Sequence, residues 1–325
     1  MERGKTSLLF GVTGFIGCHL SRYLLGKGHQ VVGTYFHRRP PKHIFDKRII
    51  LVRCDITEPA NIKRVVHRFL PDHIYYLSAQ SSVRDAWLKP IETLQINFLG
   101  GVHLLETLRR TGSKAKVLIF SSGTTYGDSH VSGRGLDEEA CLKPRDPYSV
   151  SKAGIDFFAR LYARVFNLRV SVVRLANFTG RGQSTNFSIS NFAAQIARME
   201  ARGHGGILYV GNLMAKRDYL DIRDGITALY LAMKDGRTGA AYNISSGVSR
   251  TLKDVLDNLI QLSKLKGRQI EIRKTKALMP KDEIVEIRLN SRKFRSLTKW
   301  SPRIPLRETL SDILDEWRQK VREVS

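Results

Sequence analysis

Apolar residues recur along the first half of the chain in short runs, and the longer stretches between them carry helical periodicity. Runs at 6–10, 30–35, 49–53, 73–77, 117–121 and 169–174 are of strand length. Some of them, such as Ser7-Leu8-Leu9-Phe10 and Val117-Leu118-Ile119-Phe120, are apolar almost throughout, as strands covered on both faces require. This alternation predicts an α/β fold with a doubly wound parallel sheet and a smaller C-terminal α/β lobe. Residues 1–175 are expected to supply the main domain and residues 176–325 mainly the lobe, with 241–244 returning a strand to the main sheet. Helices are predicted over 16–26, 94–110 and 148–165, and Thr251 reads as the N-cap of a helix over 252–265.

Chemistry enters at the joint between the first strand and the first helix. Gly11-Val12-Thr13-Gly14-Phe15-Ile16-Gly17 places three glycines where a phosphate loop belongs. The first permits a tight turn, the second lets backbone approach a pyrophosphate, and the third lets helix and strand pack closely. Unpaired N–H groups at the helix start then receive the anion. An ordinary strand-to-helix turn would also use glycine, so the loop alone does not decide.

A second cluster lies in the middle of the chain. Tyr148 and Lys152 stand at i and i+4, one turn apart on one helix face, where the ammonium is expected to hold the phenol below its usual pKa of about 10. Such a phenol is a usable acid or base. Upstream, the strand ending in Ser121-Ser122-Gly123-Thr124-Thr125-Tyr126-Gly127 puts hydroxyls at the carboxyl end of a parallel strand, the end at which open α/β sheets bind ligands.

With these pieces in this order, the chain resembles the extended short-chain dehydrogenase/reductases that act on nucleotide sugars, over about residues 6–318. Further landmarks are Leu77-Ser78-Ala79-Gln80-Ser81-Ser82 and Asn97. The runs Asn177-Phe178-Thr179-Gly180-Arg181-Gly182-Gln183-Ser184, Val210-Gly211-Asn212-Leu213, Lys216-Arg217-Asp218-Tyr219 and Trp300-Ser301-Pro302-Arg303-Ile304-Pro305-Leu306 resemble GDP-6-deoxy-4-ketomannose reductases and GDP-mannose 4,6-dehydratases. The resemblance implies a Rossmann-type sheet and a catalytic set of Ser122, Tyr148 and Lys152. It implies cofactor contacts at Gly11, Gly14, Phe15, Ile16, Gly17, Asp55, Ile56, Ser78, Ala79, Gln80 and Asn97, besides Tyr148 and Lys152, and substrate contacts at Ser82, Ser122, Thr124, Asn177 and Arg217. It also implies a homodimer built on the helices over 94–110 and 148–165, although their apolar faces also suit an ordinary core.

The two kinds of relative do different chemistry. A 4,6-dehydratase removes a proton at C5 and expels the C6 hydroxyl, which calls for a carboxylate just after the catalytic Ser/Thr. Gly123 and Thr124 stand there, so dehydration is disfavoured. Hydride transfer to the C4 ketone of a nucleotide-activated 4-keto-6-deoxy sugar is left as the favoured reaction, with Tyr148 protonating the developing alkoxide while Ser122 and Lys152 orient it. A 4-epimerase with tightly bound NAD uses the same three residues and is the alternative. Two departures bear on this: the reductases often carry glutamate where Thr124 stands, and the segment 278–284 lacks the arginine that GDP-sugar members place in their nucleotide pocket. GDP is the leading nucleotide, with dTDP, UDP and CDP open.

Cofactor choice follows from the end of the second strand. No acidic side chain follows Thr34 until Asp46, whereas Thr34, Arg38 and Arg39 suit a 2′-phosphate, so NADPH is favoured over NADH. A solvated loop at Arg38-Arg39-Pro40-Pro41 is the plainer explanation, as is helix capping for Asp55.

Composition adds limits. With 325 residues, 42% of them hydrophobic, the chain can bury a large core. It has no eighteen-residue apolar run and no leader pattern, three cysteines without Cys-x-x-Cys spacing, and nine histidines without a His-x-x-x-His pair. A cytoplasmic protein without metal or membrane attachment is expected. The net charge of +24 opens a non-enzymatic alternative, a dinucleotide-sensing protein that binds polyanions. Nucleic acid binding is disfavoured because the basic stretches lack interleaved aromatics and the Ser-Tyr-Lys set is intact.

Overall fold

A computed structural model describes residues 4–36, 46–131, 133–265, 270–275, 278, 282 and 284–324. The first strand, β1 (Thr6–Phe10), leads through the glycine loop into helix α1 (Phe15–Gly26). The chain continues through β2 (Gln30–Tyr35), β3 (Ile50–Arg53), α2 (Pro59–Phe69) and β4 (His73–Tyr76). Two short helices, α3 (Val83–Leu88) and α4 (Pro90–Leu94), run into a π-helical turn at Gln95–Leu99 and then α5 (Gly100–Thr111). Strand β5 (Lys116–Ser122) ends in a 3₁₀ turn at Gly123–Tyr126, and α6 (Pro147–Phe166) and β6 (Val170–Leu175) complete this half. Every strand expected here lies within one residue of its sequence bounds at each end.

The second half contributes β7 (Asn177–Thr179), α7 (Ser188–Arg202), β8 (Gly206–Val210), β9 (Lys216–Asp221), α8 (Ile222–Asp235) and β10 (Ala241–Ile244). It continues with β11 (Ser249–Thr251), α9 (Leu252–Leu262), β12 (Ile270–Lys274), β13 (Glu286–Ile287), α10 (Arg292–Thr298) and α11 (Leu306–Val324). Thr251 caps α9 as expected, in a reciprocal capping box with Asp254, but the helix ends three residues early because Ser263 is extended.

Seven strands form one sheet in the order β10-β6-β5-β4-β1-β2-β3, all parallel. The order reverses between β1 and β4, which is where a doubly wound sheet opens a crevice. Pleating divides the strand residues between two cores. Leu8, Phe10, Ile74 and Tyr76 pack under α2, α5 and α6, whereas Leu9, Val31 and Tyr75 pack under α1 and α8. A third apolar core joins α7, β8, α9 and α11 in the C-terminal half.

The helix expected over 94–110 forms, running without a break from α4 through the π-helical turn into α5. Its π-helical turn carries Asn97, which is 1% exposed and engages neighbours on both sides. Turns of this kind break the regular ladder where a side chain must be re-aimed.

At the other end of the sheet, His73 packs 5.7 Å from the His29 ring and its buried Nδ1 has no hydrogen-bond partner. Burial first, then Lys5, His29 and Lys116, pull its pKa down to about 4, against the pull of Asp72. The folded state therefore refuses a proton that the unfolded chain accepts, so the stability that neutral His73 contributes at neutral pH is lost as pH falls from 6.5 towards 4. Urea unfolding across that window should show a smaller acid loss for His73→Phe than for the parent; parallel losses would contradict this.

Candidate active site

The glycine loop is set by backbone geometry. Gly11 has φ +83°, and a Cβ there would stand 3.0 Å from Ser78 of the β4 loop. At Gly17 a Cβ would lie 2.5 Å from the Gly11 carbonyl oxygen. The first glycine thus lets the β1 and β4 loops meet at the sheet's reversal, and the second seats α1 on the loop. Helix α1 begins at Phe15 and Ile16 with no side-chain cap on Gly14 and no acidic residue in its first turn. A narrow glycine cradle facing an uncapped helix start fits a dinucleotide pyrophosphate.

Thr34 has a different task from the one expected. It is 1% exposed, and its Oγ1 accepts from Gly11 N–H at 3.2 Å while its carbonyl accepts from Val12 N–H at 3.1 Å. Its side chain ties β2 to the glycine loop, which corrects its assignment to a 2′-phosphate. Arg38 and Arg39 lie outside the described residues. A cation that sequence reasoning missed sits beside the end of β2: Arg53 pairs in register with Tyr35, and its Nε donates to the Phe36 carbonyl at 3.3 Å. Neighbouring Asp55 accepts from both the N–H and the hydroxyl of Thr57, and Ile56 is buried. Asp55 therefore shapes the turn ahead of α2, whose N-cap is Glu58.

Beyond β4, Ser78 and Ala79 are half-buried and lead to Gln80. Asn97 accepts from Gln80 N–H at 2.8 Å and donates to the Gln80 carbonyl at 2.9 Å and to Ser151 Oγ at 3.0 Å. Ser151 in turn donates to the Tyr148 carbonyl at 2.6 Å. Asn97 is thus a strut between the β4 loop and α6. Ser82 caps α3 by accepting from Asp85 N–H at 3.1 Å, and its backbone is clasped by the Gln80 amide. Its side chain orders the loop.

The catalytic candidates do converge. Asp146 caps α6 in a capping box with Ser149, fixing the first turn from which Tyr148 projects. The Ser122 hydroxyl accepts from Thr124 Oγ1 at 2.9 Å and from Thr124 N–H at 3.2 Å, and it lies near enough to the Tyr148 phenol to act on its pKa. Burial pushes Tyr148 up to about 12, Ser122 pulling the other way and the Asp146 charge adding to the rise. Lys152 is 5% exposed, donates to the Phe120 carbonyl at 2.8 Å, and is pulled down by burial to about 8. The expectation that Lys152 holds the phenol below its ordinary pKa is therefore corrected: burial dominates, and the ammonium is spent on β5. Near neutral pH both groups carry their protons.

Gly123 is closely packed. A Cβ there would meet Leu289 Cδ1 at 3.0 Å, the Leu175 carbonyl oxygen at 3.2 Å and Ile287 Cγ2 at 3.3 Å. Thr124, half-buried, directs its hydroxyl to Ser122.

Behind these groups runs a buried polar chain that sequence reasoning missed. Arg174 on β6 donates to Asp156 of α6 at 2.7 and 3.2 Å, to Tyr126 Oη at 2.9 Å and to the Glu138 carbonyl at 3.0 Å. Tyr126 donates to Asn243 Oδ1 at 2.8 Å, and Asn243 N–H donates to the Glu138 carboxylate at 2.7 Å. An arginine inside the apolar strand Val170–Leu175 was the available signal, because a buried guanidinium demands an anion.

On the lobe, Asn177 begins β7 exposed, and Arg217 on β9 donates to the carbonyls of Ile284 at 2.8 Å and Lys216 at 2.9 Å. Across the crevice, Arg145 binds Asp128 at 2.6 Å and Asp282 through Nε at 2.9 Å.

Truncating one partner of the Asp156–Arg174 pair strands a buried charge. Asp156→Ala should lower the unfolding free energy by about 3–5 kcal/mol in urea titration; a loss under about 1 kcal/mol, the range of a surface pair, would contradict the burial argument.

Comparison with known proteins places this geometry. Over 313 residues the chain is 32% identical to GDP-6-deoxy-D-mannose reductase of Pseudomonas aeruginosa, covering 96% of this chain and 97% of that one. The structure of RMD from Pseudomonas aeruginosa complexed with NADPH matches with a TM-score of 0.82 at 29% identity, covering 97% of this chain and 99% of that one. UDP-glucose 4-epimerase from Thermotoga maritima with UDP-glucose matches with a TM-score of 0.86, covering 97% of this chain and 99% of that one, a likeness of fold alone at 22% identity. The GDP-mannose 4,6 dehydratase family model matches residues 8–313, and the chain belongs to that family.

Proposed function

We propose that the protein reduces the C4 ketone of a nucleotide-activated 4-keto-6-deoxy sugar, GDP-4-keto-6-deoxymannose foremost, with NADPH. The observation that carries this reading is a Tyr148 phenol that keeps its proton at neutral pH near Ser122, with Gly123 and Thr124 where a dehydratase needs a carboxylate. A ketone reductase needs a proton donor at the carbonyl oxygen. A 4-epimerase with bound NAD would use the same three residues and is the alternative. A dehydratase needs the missing carboxylate, so family membership does not carry dehydration with it.

In this reading residues 1–175 with the strand at 241–244 hold the dinucleotide, and 176–325 mainly hold the nucleotide sugar. Gly11, Gly14, Phe15, Ile16 and Gly17 receive the pyrophosphate on backbone N–H groups, and Ser78, Ala79 and Gln80 border it across the sheet reversal. NADPH, when bound, supplies the hydride that reaches C4. Ser122 donates to the ketone oxygen, with Thr124 holding the serine hydroxyl. Tyr148 delivers its proton to the same oxygen as negative charge builds there, and the Lys152 ammonium favours that charge. Arg217 meets the substrate diphosphate, for which a guanidinium fork is suited, and Asn177 borders the sugar. Arg53, with no acid beside it at the end of β2, favours a 2′-phosphate.

A second copy of the chain is the expected partner. Val150, Phe157, Leu161 and Val165 recur along one face of α6 and are 46%, 53%, 39% and 53% exposed, and Ile91 of α4 is 72% exposed. Such a stripe on a folded monomer marks an interface. Cytosolic residence agrees with free thiols at Cys18, Cys54 and Cys141. Among the described residues no helix is long and apolar enough to cross a membrane, and no three His, Cys, Asp or Glu side chains cluster as metal ligands.

Loss of the reduced-nicotinamide absorbance on adding GDP-4-keto-6-deoxymannose, matched by alcohol formed, is the expected result. Tyr148→Phe should lower kcat by roughly 10²–10⁴ while NADPH binding holds, and Arg53→Ala should weaken the preference for NADPH over NADH. Absence of turnover with either cofactor, or full activity in Tyr148→Phe, would overturn the reading. For the dimer, Leu161→Glu should halve the mass measured by light scattering; an unchanged mass would place the subunit contact elsewhere.

A further inference from the structure

A cavity of about 250 Å³ lies outside the crevice. It is walled by Tyr219–Asp221 of β9 and by residues around β11, whereas β13 and the Ile284 segment lie along the edge of β9 opposite β11. Tyr219, Asp221, Ser246, Arg250, Arg303 and Leu306 are among its walls, and none of the residues assigned above to cofactor or substrate lines it.

Its charges are unequally spent. Asp221 accepts two bonds from the Arg223 guanidinium at 2.9 Å and one from Thr309 at 2.7 Å, so its carboxylate is already neutralised. Asp224, just beneath, takes the backbone N–H groups of Arg303 and Ile304 at 2.7 and 2.8 Å and so fixes the 302–306 wall. The guanidinium groups of Arg250 and Arg303 make no hydrogen bond or ion pair with any described residue. The nearby acid that Arg250 feels, Asp254, is committed to the Thr251 cap. Two uncommitted guanidinium groups, a wall ending at the start of the 19-residue helix α11, and otherwise mainly apolar walls make a positive recess with an apolar lining.

We propose that this cavity binds a small phosphorylated molecule, with Arg250 and Arg303 holding the phosphate and the Tyr219 side covering its carbon skeleton. Size narrows the class. Pockets for drug-sized ligands and cofactors run to roughly 300–1,000 Å³, so this one suits a sugar phosphate or a diphosphate rather than a dinucleotide. Through Asp221 and Asp224 the site rests on the first turn of α8, the helix that packs against α1 of the glycine loop. Occupancy there is therefore seated on the same scaffold as the crevice without entering it.

Calorimetric titration with inorganic pyrophosphate tests this on the full chain, with NADPH and GDP present to fill the crevice and NADPH occupancy followed by its own fluorescence. One further site is expected. It should weaken by at least roughly tenfold in an Arg250→Ser/Arg303→Ser variant that keeps its circular dichroism, and persist in Arg217→Ala. No pyrophosphate binding by the parent, or equal binding by the double variant, would overturn the proposal. A failure of NADPH to bind would show in its fluorescence and count against the reductase reading alone; the parent and double variant would then be compared without it.

Discussion

The buried contact between Arg174 and Asp156 holds helix α6 to the sheet, and the site's geometry depends on that seat. Both side chains are almost fully removed from water, at 2% and 0% exposure. The same guanidinium reaches Tyr126, so one residue on β6 fixes the helix that presents Tyr148 and Lys152 together with the turn that follows Ser122. A buried ion pair contributes little net stability over a well-packed apolar pair, but it allows only one arrangement. Here that arrangement puts a hydroxyl from β5 against a phenol from α6. Asn97 secures the opposite side, joining the β4 loop to the first turns of the same helix.

Burial then sets the chemistry. It drives the phenol up and the ammonium down, and both remain protonated near neutral pH. Such a pair is prepared to give protons to a developing alkoxide. Leu289 and Ile287 pack closely against Gly123, and neither Gly123 nor Thr124 offers the carboxylate that would act at C5. In the proposed reading, side-chain choice after Ser122 and desolvation adapt to reduction a fold that also serves dehydratases and epimerases.

Much of this was legible in the sequence. Apolar runs gave the strands of the main sheet because strands buried on both faces leave little choice of residue, and the spacing of Ser122, Tyr148 and Lys152 pointed to one site. The roles of polar residues were less legible. Thr34, Ser82 and Asn97 sit at positions where a ligand contact is plausible, yet each also bonds neighbouring parts of the chain, and local sequence cannot say which partner a short polar side chain will meet. Arg53 escaped notice because its relevance comes from strand pairing with β2 across a long gap. The Arg174 chain was hidden for the same reason: its members come from the turn after β5, α6, β6, β10 and the loop around Glu138. The π-helical turn also had no periodic signature, since it disturbs the helix for only a few residues.

Proton donation by Tyr148 is the point on which the proposed chemistry turns, and it can be read directly. The ultraviolet difference spectrum of the cofactor-free protein, taken as a function of pH and referenced to Tyr148→Phe, isolates the ionisation of this one phenol. No phenolate signal from Tyr148 should form below about pH 10, the ordinary range for tyrosine. A phenolate appearing near neutral pH would contradict the acid role and return the site to chemistry that begins with proton removal.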